Sequence, residues 1–265
     1  MLTSLSPPRR RLVTGVVLLT VVVVASVVGV ALLGRDPPVR PVDQGRSGPV
    51  LLVPGYGGST SGLEVLANAL DAVGRDVRIV VTDGPGTGDL RDRAAELDRA
   101  VEATIEETGA RSVDIVGYSA GGVILRIYVA DLGGGSRVRR AVTLAAPHHG
   151  TDLSSLGSSL GTSTCPEACQ QLDPDSDLLR RLNSGPEAPE GPVWVALWTE
   201  DDETVVPPVS GDLDGALGYS VQSVCPGLRV AHPDVPRTPA IIEMVKSAIG
   251  TRMPVQPSSS VCAAG

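Results

Sequence analysis

The stretch from Ile115 to Val123, which reads I-V-G-Y-S-A-G-G-V, constrains the fold of this chain more than any other part of the sequence. The apolar, β-branched run from Val113 to Val116 is typical of a buried strand. Apolar residues at helical spacing, among them Val123 and Ile127, begin directly after it. A strand, a sharp turn and a helix in this order predict an α/β fold with Ser119 at the turn.

The residues around Ser119 fit a strained turn that lifts a hydroxyl to the edge of a sheet. Such a turn leaves no space for bulk two positions before or after the serine, and Gly117 and Gly121 meet this requirement. The backbone N–H of Ala120, at the start of the helix, would point to where an oxyanion forms. Ser119 is therefore a candidate nucleophile, and the alternative is a glycine-rich turn without chemistry.

A second glycine-rich loop follows the first predicted core strand, Val50 to Val53. It reads P-G-Y-G-G-S from Pro54 to Ser59, and it lacks both the ending of a Walker motif and the spacing of a dinucleotide site. Glycines at this place let backbone amides approach a bound ligand closely. We expect the N–H of Tyr56 to be the second oxyanion donor, with a plain turn as the alternative.

A serine hydroxyl needs an imidazole as its base, and the imidazole needs a carboxylate that fixes its tautomer. The chain has three histidines. In sheets of this kind the acid and then the histidine follow the serine, so His232 is the predicted base. His148 and His149 come before the acidic loop, and we expect them to pack near the cavity entrance against neighbouring loops.

The candidate acids lie together in the loop after the predicted strand at 193–198. Asp202 precedes Val205 by three residues, which places its carboxylate at the strand exit above apolar anchors, and it is the predicted acid. Asp201 is the second candidate, followed by Glu200 and Glu203.

Predicted strands and helices alternate along most of the chain, which indicates a mostly parallel central sheet with helices on both faces. The alternation stops at about 151–191, where small and polar residues and a local cysteine pair predict a cap inserted over the sheet edge. We expect the α/β domain to span 50–250, with a linker at 35–49 and a tail at 251–265.

The N-terminal segment 1–34 contains an uncharged run from Leu12 to Gly34 that follows three arginines. This run is longer than the apolar region of a typical signal peptide and about as long as a membrane span. We expect an uncleaved signal anchor, with a cleaved signal as the alternative; in both cases the body is extracytoplasmic.

Four cysteines fit an oxidising compartment and allow three pairings. The short spacing favours a bridge between Cys165 and Cys169, which leaves Cys225 to hold the tail through Cys262. With no histidine near the first pair, we expect no metal. A net charge of −8 and a pI near 4.9 do not favour binding to the negatively charged backbone of nucleic acid.

Taken together, G-Y-S-A-G, P-G-Y-G-G, L-A-A-P-H-H-G-T, W-T-E-D-D-E-T-V-V-P and V-A-H make the chain resemble secreted bacterial lipases and esterases of the α/β-hydrolase superfamily. The resemblance is to the small triacylglycerol lipases and covers about 50–249. That family usually has a histidine where this chain has Pro54.

The resemblance implies hydrolysis of carboxylic esters with fatty acyl groups. We expect no cofactor, and the sequence shows no sign of the calcium site that some larger lipases have. Because the chain has no phenylalanine, an acyl groove would be lined by leucine, valine and isoleucine. We expect a monomer with a lipid or other ester as substrate, in contact with the membrane if the anchor is uncleaved. The alternatives are an acyltransferase of the same fold and a catalytically silent lipid binder or scaffold of the cell envelope.

Overall fold

A computed structural model describes residues 7–33, 39–81, 83–152, 154 and 165–263. The chain divides into two compact units, one ending at Pro38 and one beginning at Val39. The described part of the first unit is helix α1, Pro7–Leu33. None of the helices in the described ranges is both long and apolar enough for a membrane crossing, so the predicted membrane anchor is not confirmed.

Within the described residues, the second unit is built on a six-stranded sheet whose order is β2-β1-β3-β4-β5-β6, with every neighbouring pair parallel. The strands are β1 Val50–Val53, β2 Val77–Ile79, β3 Val113–Tyr118, β4 Val138–Leu144, β5 Val193–Trp198 and β6 Leu217–Ser220. Parallel neighbours place the carboxyl ends of the strands at one edge, and the loops that leave this edge carry the candidate residues.

Helices cover both faces of this sheet. They are α2 Ser61–Asp71, α3 Leu90–Thr108, α4 Ala120–Asp131, α5 Glu167–Gln171, α6 Asp177–Leu182, α7 Val221–Val224 and α8 Pro239–Ala248. Side chains alternate between the two faces of each strand. Leu51 and Ile115 therefore pack with α3 and α4 in one core, whereas Leu52 and Val116 pack with α2 and α8 in the other.

The predicted cap is described only in part, because 153 and 155–164 lie outside the described residues. Its described portion contains α5 and α6, and α5 is tied to the start of α3. The side-chain amide of Gln171 donates to Asp89, its oxygen accepts from the N–H of Leu90, and the N–H of Ala168 donates to the Thr87 carbonyl. These contacts anchor this end of the insertion to the domain.

Two disulfides are present, Cys165–Cys169 beside α5 and Cys225–Cys262 between the end of α7 and the tail. The second one closes a loop of 37 residues. Closing a loop of this length restricts the unfolded chain and thereby stabilises the folded domain.

The structure differs from the predicted sheet at its last strand, which the sequence pattern extends from Tyr219 to Val224. The strand β6 ends at Ser220, and α7 begins at the next residue. The Ser220 hydroxyl accepts a hydrogen bond from the N–H of Ser223, which caps the short helix. An apolar run of this length does not by itself distinguish a strand from a helical turn.

A buried ion cluster closes the opposite, amino-terminal edge of the sheet. Asp114 on β3 and Arg139 on β4 have fully buried side chains and form two hydrogen bonds, of 2.9 and 2.6 Å. Arg139 also donates to the carbonyls of Ile249 and Gly250, and Arg75 reaches the same carboxylate at 2.5 Å. The cluster therefore connects the sheet to the segment that follows α8.

We predict that Asp114→Asn lowers the free energy of unfolding by about 3–5 kcal/mol, because it leaves the buried Arg139 charge without its carboxylate. The matched control is Asp98→Asn, which breaks a partly exposed ion pair with Arg137 and should cost at most about 1 kcal/mol. Equilibrium urea unfolding measures both changes. Equal losses in the two variants would contradict the structural role of the cluster.

Candidate active site

Ser119 lies at the turn between β3 and α4, at the carboxyl edge of the sheet. Its backbone has φ 54° and ψ −127°, a conformation that a residue with a side chain adopts only where the surroundings enforce it. The N–H of Ser119 donates to the Leu144 carbonyl, and its own carbonyl accepts from the N–H of Gly122. These bonds hold the strained residue in place.

The glycines on either side of Ser119 allow three backbone segments to meet. A Cβ on Gly117 would lie 2.5 Å from the carbonyl oxygen of Gly121, and a Cβ on Gly121 would lie 2.3 Å from that of Val53. Both distances are far below van der Waals contact, so no other residue fits without backbone movement. This contact brings the end of β1, and the loop after it, against the turn.

Ser119, His232 and Asp202 form a continuous hydrogen-bonded chain. The Ser119 Oγ lies 2.9 Å from Nε2 of His232, and Nδ1 of His232 lies 2.7 Å from Oδ2 of Asp202. All three residues are at most 8% exposed. A proton held on Nδ1 by the carboxylate leaves Nε2 free to accept the serine proton, which is the arrangement that nucleophilic catalysis requires.

Backbone donors fix the Asp202 carboxylate in this orientation. Its Oδ1 accepts from the N–H groups of Thr204 and Val205, at 2.9 and 2.8 Å, while Oδ2 faces the imidazole. The two oxygens are therefore assigned to different partners, and neither is free to turn toward solvent.

The other three acidic residues of the loop point elsewhere. Asp201 pairs with Arg229 and accepts from the N–H of Val230, and the Arg229 hydrogen bond is the first cause of its lowered pKa. Glu200 accepts from the Ser220 hydroxyl. Glu203 is exposed and lines the cavity described below. Of the four acids, the structure brings Asp202 alone to His232.

Tyr118 contacts the predicted base, a role that no sequence motif indicates. Its hydroxyl donates to the backbone carbonyl of His232 at 3.0 Å, and the two ring centroids are 5.2 Å apart. Burial first, then the nearby Asp202 charge, raises the pKa of Tyr118. The hydroxyl therefore remains a proton donor at neutral pH.

The two expected oxyanion donors lie at the first positions of helical turns. Ala120 begins α4, and Tyr56 begins the 3₁₀ turn Tyr56–Gly58. An N–H at such a position has no acceptor within its own helix. The loop that carries Tyr56 lies close to the serine, because a Cβ on Gly55 would be 2.9 Å from that of Ser119. The N–H of Gly57 donates to the Gly86 carbonyl, which braces this loop from the far side.

A cavity of about 510 Å³ opens beside the serine. Ser119, Tyr118 and His232 line it together with residues of the first loop and the first turn of α2. The sequence predicts a lining of leucine, valine and isoleucine for an acyl groove. Among the described lining residues, Leu63 is the only branched aliphatic one, because the strands and helices direct their aliphatic side chains into the two cores.

His148 and His149 do not line this cavity in the described part of the chain. His148 is completely buried, and its Nε2 lies 3.0 Å from the Thr143 hydroxyl. His149 pairs with Glu187. Burial, and next the charge of Arg126, lowers the pKa of His148 well below 6.5, so this histidine is neutral in the folded protein.

Arg126 connects the elbow helix α4 to the end of the insertion. It is fully buried and donates to the carbonyls of His148, Leu182 and Glu187 and to the side chain of Asn183. Burial lowers its pKa to about 10, and the guanidinium remains charged at neutral pH. A cation thus binds four neutral acceptors and fixes 182–187 against α4.

Comparison with protein families agrees with the fold. The family model that matches this chain is described as the α/β-hydrolase fold, and it covers residues 48–159, from the start of β1 into the insertion. The α/β-hydrolase fold expected from the sequence is confirmed by this match and by the parallel sheet.

Solved structures of similar fold include lipases from a fungus and from bacteria. Aspergillus fumigatus lipase B is 19% identical, with a TM-score of 0.70 over 86% of this chain and 59% of that protein. Mature Bacillus licheniformis lipase BlEst2 is 18% identical, with a TM-score of 0.58 over 76% of this chain and 91% of that one. This chain therefore spans less than two thirds of the fungal lipase.

We predict that the pH dependence of stability reports the buried His148. Its pKa is lower in the folded state than the ordinary value of 6.5, so the unfolded chain takes up the proton first as the pH falls. Below about pH 6.5 this group alone should reduce the free energy of unfolding by up to about 1.4 kcal/mol per pH unit.

Urea unfolding between pH 4.5 and 8 tests this prediction with His148→Gln. The difference in stability between the parent and this variant should narrow as the pH falls, since the variant lacks the titrating group. His149→Gln, at an exposed histidine, is the control for the loss of a neighbouring imidazole, and its effect on the slope should be smaller than that of His148→Gln. Parallel curves for the parent and His148→Gln would disprove the prediction.

Proposed function

Because this chain has the α/β-hydrolase fold, we propose that it is a serine hydrolase that cleaves carboxylic esters through Ser119, His232 and Asp202. The observation that carries the proposal is the hydrogen-bonded chain from the Asp202 carboxylate through the imidazole to the serine hydroxyl. A structural serine does not require a strained backbone, a buried imidazole and an oriented carboxylate at the same place.

In the first half of the reaction, the Ser119 Oγ attacks the carbonyl carbon of the ester while His232 accepts the hydroxyl proton on Nε2. Asp202 stabilises the resulting imidazolium through Nδ1. The N–H groups of Tyr56 and Ala120 bind the oxyanion of the tetrahedral intermediate. His232 then protonates the leaving alcohol, and the acyl group remains on Ser119.

In the second half, water replaces the alcohol. His232 takes a proton from this water, which attacks the acyl carbon, and the same pair of N–H groups binds the second oxyanion. Collapse of this intermediate breaks the bond to Ser119 Oγ, and His232 returns the proton to the serine. The reaction requires no metal or organic cofactor, because each proton transfer uses the same imidazole.

Lipid esters and other carboxylic esters are the proposed substrate class. The names of the lipases that share this fold support it. We also propose an extracytoplasmic location, which the two disulfides support, since such bridges persist in oxidising compartments. The three residues proposed to be catalytic are complete within one chain, so the proposed reaction needs no second subunit.

We predict that Ser119→Ala abolishes hydrolysis of p-nitrophenyl butyrate, because it removes the nucleophile. The expected loss is at least about 10³-fold, and a fluorophosphonate probe should label the parent but not the variant. Circular dichroism and the urea midpoint serve as folding controls. Activity of a folded variant within tenfold of the parent would reject the proposed mechanism.

We predict different effects for the two neighbouring aspartates. Asp202→Asn should lower kcat by about 10³–10⁴-fold, because the amide cannot stabilise the imidazolium and favours the wrong tautomer. Asp201→Asn is isosteric in the same loop and should change kcat by less than about threefold. Steady-state kinetics with one neutral ester distinguishes the two residues, and a larger loss in the Asp201 variant would exchange their roles.

A further inference from the structure

The cavity beside Ser119 combines an apolar lining with few charged groups. Its apolar lining residues are Leu63, Ala231, Pro233 and the rings of Tyr56 and Tyr118. The affinity of a site for an alkyl chain depends on the apolar area that the two bury together, so this lining suits the alkyl part of an ester. The charged lining residues add a second basis for selectivity, the charge of the substrate.

Arg237 is the only cation that lines this cavity in the described part of the chain. It forms no ion pair or hydrogen bond with any other described residue. The buried arginines behave differently, because Arg126 and Arg139 are surrounded by acceptors. A guanidinium has five N–H donors, and in Arg237 all of them are available to a ligand.

The position of Arg237 is coupled to that of the catalytic base. The 3₁₀ segment His232–Arg237 begins at the histidine and ends at the arginine. It contains Pro233 and Pro236. A rise of about 2 Å per residue separates their backbones by about 10 Å, and the prolines restrict the segment.

One contact places the Arg237 side chain at the cavity. Its Nη2 lies 3.6 Å from where a Cβ on Gly62 would stand, in the first turn of α2, and Gly62 also lines the cavity. The guanidinium therefore lies beside the first turn of α2. Its charge also opposes the rise in the pKa of Tyr118 that burial causes.

We propose that Arg237 selects esters that carry a second, anionic group, a carboxylate or a phosphate, a few bonds from the scissile carbonyl. A guanidinium binds either group through two parallel, charge-assisted hydrogen bonds. This inference rests on the proposed ester hydrolysis and names the substrate class of the same site. The anion occupies the cavity end at Arg237 while the ester carbonyl lies at Ser119.

Glu203 is the only acidic residue that lines the cavity among the described residues. It forms no ion pair with Arg237 or with any other described cation, so it does not neutralise the guanidinium. It belongs to the loop after β5, next to Asp202. Glu203→Gln therefore serves as the matched control. It removes a negative charge from the cavity that Arg237→Gln deprives of a positive one.

The test compares kcat/KM for two substrate pairs, each with one anionic and one neutral ester. The first pair is p-nitrophenyl hydrogen glutarate and the neutral p-nitrophenyl ester of glutaramic acid, with the anion on the acyl side. The second pair is butyryl glycerol 3-phosphate and monobutyrin, with the anion on the alcohol side. The readout is the ratio of the anionic to the neutral ester in each pair.

Arg237→Gln should lower this ratio at least tenfold in one pair or both, because the bidentate contact is lost. Arg237→Lys should retain part of the preference, since it keeps the charge but not the planar fork. For the parent, the ratio should also fall between about 20 and 500 mM NaCl, because salt screens an exposed charge pair. Glu203→Gln should leave the ratio unchanged or raise it.

Ratios that change less than tenfold in both pairs for Arg237→Gln would overturn the inference. The same holds if Glu203→Gln lowers the ratio as much as Arg237→Gln does. The neutral esters separate this outcome from a failure of the proposed function. If they are hydrolysed through Ser119 while the ratios stay constant, only the role of Arg237 is rejected; if they are not hydrolysed at all, the proposed function is rejected as well.

Discussion

The close packing of backbone at the turn after β3 is the constraint on which the rest of the site depends. Gly117 touches the carbonyl of Gly121, and Gly121 in turn touches that of Val53, at distances that exclude any side chain. This packing forces Ser119 into a positive φ and brings the loop after β1 beside it. One steric requirement thus positions both the hydroxyl and one of the two expected oxyanion donors.

The acidic loop after β5 illustrates how hydrogen-bond partners give different roles to similar residues. Asp202 faces the imidazole because two backbone N–H groups hold its other oxygen, whereas Asp201 turns to Arg229 and to the backbone of Val230. A carboxylate that is buried and fully bonded has one orientation available. The neighbour that pairs at the surface connects this loop to the segment that directly precedes His232.

The domain keeps most of its branched aliphatic side chains away from the cavity beside Ser119. The aliphatic residues of the strands pack into two cores on either side of the sheet, and the cavity at the carboxyl edge is left with loop residues. Loops carry small and polar side chains because their backbone needs turn residues and contact with water. Among the described lining residues, Arg237 is the one arginine or lysine, and it is therefore the group to which the selection of an anionic ester is assigned.

The sequence by itself determined the fold class and predicted Ser119 and His232 as members of the hydrogen-bonded chain. A strand, a glycine-flanked serine and a helix leave few alternatives for the serine, and the histidine comes last in the order of serine, acid and histidine. The sequence left Asp201 and Asp202 unresolved, extended the last strand beyond Ser220, and gave no indication of Tyr118 or Arg237. Those depend on contacts between residues far apart in the chain, such as the Tyr118 hydroxyl and the backbone of the histidine 114 positions later. Only the tertiary structure decides such contacts, since local patterns record burial and turns but not which loops meet at the edge of the sheet.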